Sequence, residues 1–95
     1  GVCDVLTNWW APLIAKPPGW LFESPYQAYA VVTMCRVRYT LAHGDVLSKP
    51  GAARWALEHL DPIWHELIRR AAVRSGCGYD ETAAFVRETL ASASC

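Results

Sequence analysis

The sequence predicts an all-α fold, a small helical bundle of about five helices with short connections. Three observations carry it. Apolar residues recur at three- and four-residue spacing, cap-plus-proline pairs open segments, and no stretch alternates with a convincing period of two.

The first helix is expected over residues 2–13, where Val2, Val5, Leu6, Trp9 and Leu13 fall at helical spacing. Lys16-Pro17-Pro18-Gly19 is a breaker cluster and must be loop. The next start is the clearest in the chain: Ser24 as N-cap, Pro25 at the first helical position and Gln27 completing a capping box. From there the chain stays helix-compatible to His43, with Gly44 as the stop. Ser48 opens a third helix through Ala53, Trp55, Ala56 and Leu60. Asp61-Pro62 opens a fourth, with Ile63, Leu67, Ile68 and Ala71 on one face, ended by residues 75–78. Asp80 is expected to cap a fifth, which buries Phe85, Val86, Thr89 and Leu90, and residues 91–95 read as a frayed end. Short connections make neighbouring helices roughly antiparallel.

Ninety-five residues make one domain with a modest core. Nine basic and nine acidic side chains give a net charge of zero, which argues against a nucleic-acid or anionic-membrane binder. No apolar run approaches a membrane span and no signal peptide is evident, so a soluble, cytoplasmic domain is expected. Cys3, Cys35, Cys77 and Cys95 are not paired as in a zinc ribbon and are read as reduced thiols. Five tryptophans, with Trp9, Trp10 and Trp20 close together, imply an aromatic-heavy core or a surface for a partner.

The second helix is the most apolar and is expected to be central. Its polar members Tyr29, Thr33, Arg36, Thr40 and His43 are spaced four, three, four and three, which places them in one stripe. A stripe of that kind is either a solvent face or the wall of a polar cleft. An arginine inside a central helix needs an anion, supplied by an internal carboxylate or by a ligand. Lys49 follows the reversal at Gly44 and is placed to join Arg36 at one anionic site.

The segments MCRVRYTLAHG (34–44), SKPGAARWALEHL (48–60) and DPIWHELIRRA (61–71) resemble the C-terminal helical domain of the aminoglycoside 3''/9-adenylyltransferase family of nucleotidyltransferases. The resemblance implies an enzyme that transfers AMP from ATP to a hydroxyl of an antibiotic such as streptomycin or spectinomycin. It also implies that Arg36 and Lys49 reach the ATP phosphates. The partner implied is an N-terminal nucleotidyltransferase domain that holds Mg2+ and the catalytic base. No Gly-Ser motif followed by an Asp-x-Asp pair occurs in this chain, which is therefore expected not to catalyse alone. Where streptomycin- and spectinomycin-modifying members look to have an Asp ten residues before the arginine, this chain has Tyr26. Tyr26 and Tyr29 would give the substrate a more aromatic, neutral wall.

Two rival readings stand beside this one. Arg38 and His43 fit the R-x4-H signature of a HEPN-type ribonuclease, although five residues on a helix set the side chains ~140° apart. A helical protein-interaction module, docking through exposed tryptophans and without a ligand, is the non-enzymatic alternative. Asp61 with His65 is too few ligands for a metal site, and Arg69, Arg70 and Arg74 read as a solvated face.

Overall fold

The first helix, α1, covers residues 2–15 and changes pitch midway. Val2–Val5 and Ala11–Ala15 are α-helical, whereas Leu6–Trp10 is a π turn in which the Ala11 N–H reaches back to the Leu6 carbonyl. Pro12 accounts for the wide turn. It has no N–H to give the carbonyl one turn earlier, and its ring would collide with that carbonyl in a regular helix. Leu6, Trp10, Leu13 and Ile14 are buried from this helix. The computed structural model describes residues 1–93, and the last two positions of the expected frayed end lie outside them.

A loop with a short 3-10 turn at Gly19–Phe22 leads into α2, Ser24–His43. The sequence reading is off by one residue here. Glu23 is the N-cap, Ser24 is already helical, no side chain caps the end, and Gln27 is buried instead of closing a capping box. The Glu23 carbonyl accepts from the Gln27 N–H, so the first turn closes through backbone alone. At the other end Gly44 stops the helix in a left-handed conformation, φ 71°, as expected.

The third helix, α3, runs Lys49–His59 behind Ser48, whose hydroxyl accepts from the Gly51 N–H at 3.2 Å. Asp61 accepts from the Ile63 N–H at 3.0 Å and opens a 3-10 turn at Pro62–Trp64, which runs into α4, His65–Ala72. Leu67, Ile68 and Ala71 are buried, whereas Ile63 is 73% exposed because the 3-10 turn rotates it off the face of α4. The last helix, α5, is Tyr79–Ser92 and extends into the segment expected to fray. Its N-cap is Gly78, φ 81°. Asp80 lies inside the first turn with Glu81, where acids complement the helix dipole, and does not cap.

Helix α2 is central, packing against α1, α3, α4 and α5. Its Ala30, Val31, Met34 and Cys35 are wholly buried against Leu21, Ile68, Phe85 and Val86 in a continuous core. The radius of gyration, 12.1 Å, matches the ~12 Å expected of a chain this long. Helices are the only regular secondary structure among the described residues, and none is long and apolar enough to cross a membrane. Cys35 and Cys77 are buried free thiols, but Cys3 is disulfide-bonded, so the reduced reading does not hold for it. Sequence separation cannot show which sulfurs a fold brings within bonding range.

Candidate functional site

A cavity of about 790 Å³ opens between the first turns of α2, the exposed edge of α3 and the end of α4. Its floor is small and apolar, with Ala28, Ala53 and Ala71 beside Val32 and Leu57. Its rim carries Tyr26, Tyr29, Lys49, Arg54 and Arg74. This is the size range of a small-molecule site.

Each rim residue is held by an identifiable local structure. Tyr26 stacks edge-on against Trp20, ring centroids 5.4 Å apart, and Tyr29 rests near Trp10 at 6.4 Å. The crowded N-terminal tryptophans therefore back the two tyrosines. Only Trp10 is fully buried, while Trp9 is 56% exposed. Lys49 places its ammonium 5.9 Å from the centre of the Tyr29 ring, within cation–π range. The loop that delivers Lys49 is tied to α2 twice. Thr40 Oγ1 donates to the Asp45 carbonyl at 2.9 Å, and Arg36 Nε donates to the Leu47 carbonyl at 3.1 Å.

Arg74 reaches the rim by a different route. Helix α4 ends with the Arg74 N–H bonded to the Ala71 carbonyl and the Ser75 N–H bonded to the Arg70 carbonyl. That pairing is a Schellman motif with arginine at the left-handed position, φ 56°, where glycine is usual. Residues 75–78 were expected to stop the helix, but the stop falls earlier. Nor do the three arginines share one solvated face. Arg69 stays exposed beside Glu66. Arg70 is half-buried, pairs with Glu81 and donates to the Gly76 and Cys77 carbonyls.

The polar stripe of α2 does not serve one site. Residues 29 and 43 are about 21 Å apart along the axis, more than a single small-molecule site spans. Tyr29 faces the large cavity. Thr33, Arg36 and Thr40 line a second cavity of about 180 Å³ with Val2, Val37 and Val46. His43 packs tilted on Tyr39 and edge-on to Trp55, with centroids at 4.6 and 5.9 Å. The structure thus brings Lys49, Tyr26 and Tyr29 together and sets Arg36 on the neighbouring cavity, linked to them through the Leu47 carbonyl. No acid pairs with Arg36 among the described residues.

Other candidates disperse. Arg38 donates toward Thr89 Oγ1 on α5 at 3.5 Å, whereas His43 lies on the aromatic cluster, so the two do not converge. Asp61 is occupied as a cap, and His65 Nε2–H donates to the Leu60 carbonyl at 3.0 Å. No group of three or more metal-ligating side chains occurs among the described residues. Burial pushes the Cys35 thiol up to about 12 and raises Cys77 as well, which keeps both protonated and inert.

Sequence reasoning missed Arg54 and Arg74 at the cavity. Arg54 had a usable signal, because Pro50, Ala53, Arg54 and Leu57 share one face of α3. Arg74 had none, since its direction depends on a left-handed backbone that its residue type disfavours.

The model for the C-terminal domain of aminoglycoside adenylyltransferase matches residues 6–93. No curated protein and no solved structure matches the chain. With the match running from the π turn of α1 to the end of α5, the chain belongs to the family of aminoglycoside adenylyltransferase C-terminal domains.

Proposed function

We propose that the chain is the substrate- and nucleotide-closing domain of an enzyme that transfers AMP from ATP to an antibiotic hydroxyl, working with an N-terminal nucleotidyltransferase domain. The observation that carries this reading is the Lys49 ammonium held against Tyr29 on the rim of the large cavity. ATP with Mg2+ supplies the transferable group when bound. The residues present fit its phosphates, since the rim offers cationic donors. They do not fit the metal, for which this chain assembles no carboxylate set among the described residues.

In this reading Lys49 meets the phosphates directly. Arg36, on the neighbouring cavity, supports it by fixing the 44–48 turn through the Leu47 carbonyl. Tyr26 and Tyr29 form the wall against which the acceptor lies, stiffened by Trp20 and Trp10. Binding and orientation are the roles of this chain, and the reacting atoms meet groups of the partner domain.

The test pairs the chain with a family nucleotidyltransferase domain. Lys49→Ala should lower AMP transfer about a hundredfold, the scale for losing one charged contact in the transition state, with thermal stability unchanged. A variant that melts earlier but transfers AMP at the parent rate would remove the proposed role.

A further inference from the structure

We propose that the stacked pair Phe22 and Tyr79, flanked by Glu23 and Asp80, is a subsite for a cationic group of the AMP acceptor, an ammonium or a guanidinium. Phe22 and the two acids are then specificity-determining residues. That the guest is the acceptor rests on the functional reading above. That the group is cationic rests on the rings and acids themselves.

The 3-10 turn Gly19–Phe22 serves two surfaces at once. Its Trp20 backs Tyr26, which lines the large cavity. Its Phe22 stacks on Tyr79 at the start of α5, with ring centroids 4.4 Å apart and planes 29° from parallel. The Tyr26 N–H is bonded to the Glu23 carbonyl, so the residue after Phe22 lies one turn from the acceptor wall. The stacked rings stay open to a guest, since Phe22 is 55% exposed and Tyr79 is only half-buried. The face of an aromatic ring is the negative part of its quadrupole, and a cation seats there.

The charges around the pair agree. Glu23 follows Phe22 and Asp80 follows Tyr79 in the chain, both are exposed, and neither is in an ion pair among the described residues. The next acid along, Glu81, is already taken by Arg70. The large cavity is the opposite: Lys49, Arg54 and Arg74 stand on its rim, and no carboxylate lines it among the described residues. An acceptor lying on Tyr26 and Tyr29 therefore finds no counter-charge for its cations inside the cavity. Phe22, Glu23, Tyr79 and Asp80 lie outside it and supply two acids with a ring face. The acceptor's cations are thus drawn away from the basic rim that meets the phosphates.

The test titrates the 95-residue chain with streptomycin, which carries guanidinium groups, and with the uncharged cyclitol myo-inositol, following amide and aromatic proton shifts. Streptomycin should shift residues 22, 23, 79 and 80 together with 26 and 29, and myo-inositol should leave the first four unmoved. Phe22→Leu keeps an apolar contact with Tyr79 but removes the ring face, and should weaken streptomycin binding about fivefold, the scale of one cation–π contact. Glu23→Gln combined with Asp80→Asn should weaken it about tenfold, the scale of two exposed charge pairs, and should flatten its salt dependence. The acid variant alters no packing, so it decides the matter even if Phe22→Leu fails to fold. In the paired enzyme the same variants should raise the acceptor KM by these factors, with kcat and the KM for ATP unchanged. Shifts absent from those four residues, an equal response to myo-inositol, or parent affinity in the acid variant would overturn the inference.

The outcomes also separate the two readings. If streptomycin engages the platform but the paired enzyme transfers no AMP, the functional reading fails and the cation subsite remains. If AMP is transferred with the parent acceptor KM in every variant, the subsite fails and the functional reading stands.

Discussion

Arg36 Nε donates to the Leu47 carbonyl at 3.1 Å, joining the middle of the central helix to the turn that ends two residues before Lys49. Removing the donor while keeping the aliphatic stem, as in Arg36→Met, should cost about 1.5–3 kcal/mol, the scale of a charged hydrogen bond. Hydrogen exchange should quicken across residues 44–48 and stay unchanged in α5. Exchange in the turn at the parent rate would show that the Thr40–Asp45 bond alone holds it.

Arg74 should be a site where stability and charge oppose each other. Arg74→Gly relieves a left-handed non-glycine residue and should stabilise the chain by about 1 kcal/mol. For a domain of this size that raises Tm by roughly 4–8 °C. Differential scanning calorimetry decides it, and a lowered Tm would mean that packing of the arginine stem outweighs the backbone strain.

Cys35 predicts an alkaline limit. Its folded thiol is pushed up to about 12 by burial, above the ordinary value of 9.0. The unfolded chain therefore loses this proton first as pH rises. The contribution is complete below pH 9 and is lost towards pH 12, with a slope of about 1.4 kcal/mol per pH unit. Cys35→Ala should flatten that part of the stability curve relative to the parent, measured by urea unfolding between pH 8 and 11. Parallel curves for the two proteins would refute it.

Much of the architecture was legible because it rests on local chemistry. Gly44 after an apolar run, Ser48 before Lys49-Pro50 and Asp61 before Pro62 each announced a helix end that the structure contains. The misreadings arose where backbone geometry, not residue type, decides. Ile63 sits at a correct helical spacing but on a 3-10 turn, and Glu23 displaces Ser24 because its carbonyl closes the first turn. The site was legible in part for the same reason. Tyr26, Tyr29 and Lys49 line one cavity; one-turn spacing pairs the tyrosines, whereas Tyr26 was singled out by the family resemblance. Arg36 was joined to Lys49 by the chain reversal at Gly44, and the structure sets it on the neighbouring cavity, tied to the Lys49 turn through the Leu47 carbonyl. Arg74 was hidden by a conformation its side chain disfavours.

The alanine floor of the large cavity has a consequence for how this fold changes its guest. Ala28, Ala53 and Ala71 come from three different helices, and their methyl groups set the depth available beneath the rim. A few added carbons at any of them would shorten the chamber while leaving every cation in place. Size and charge are thus controlled by separate positions, so a lineage can retune one without disturbing the other.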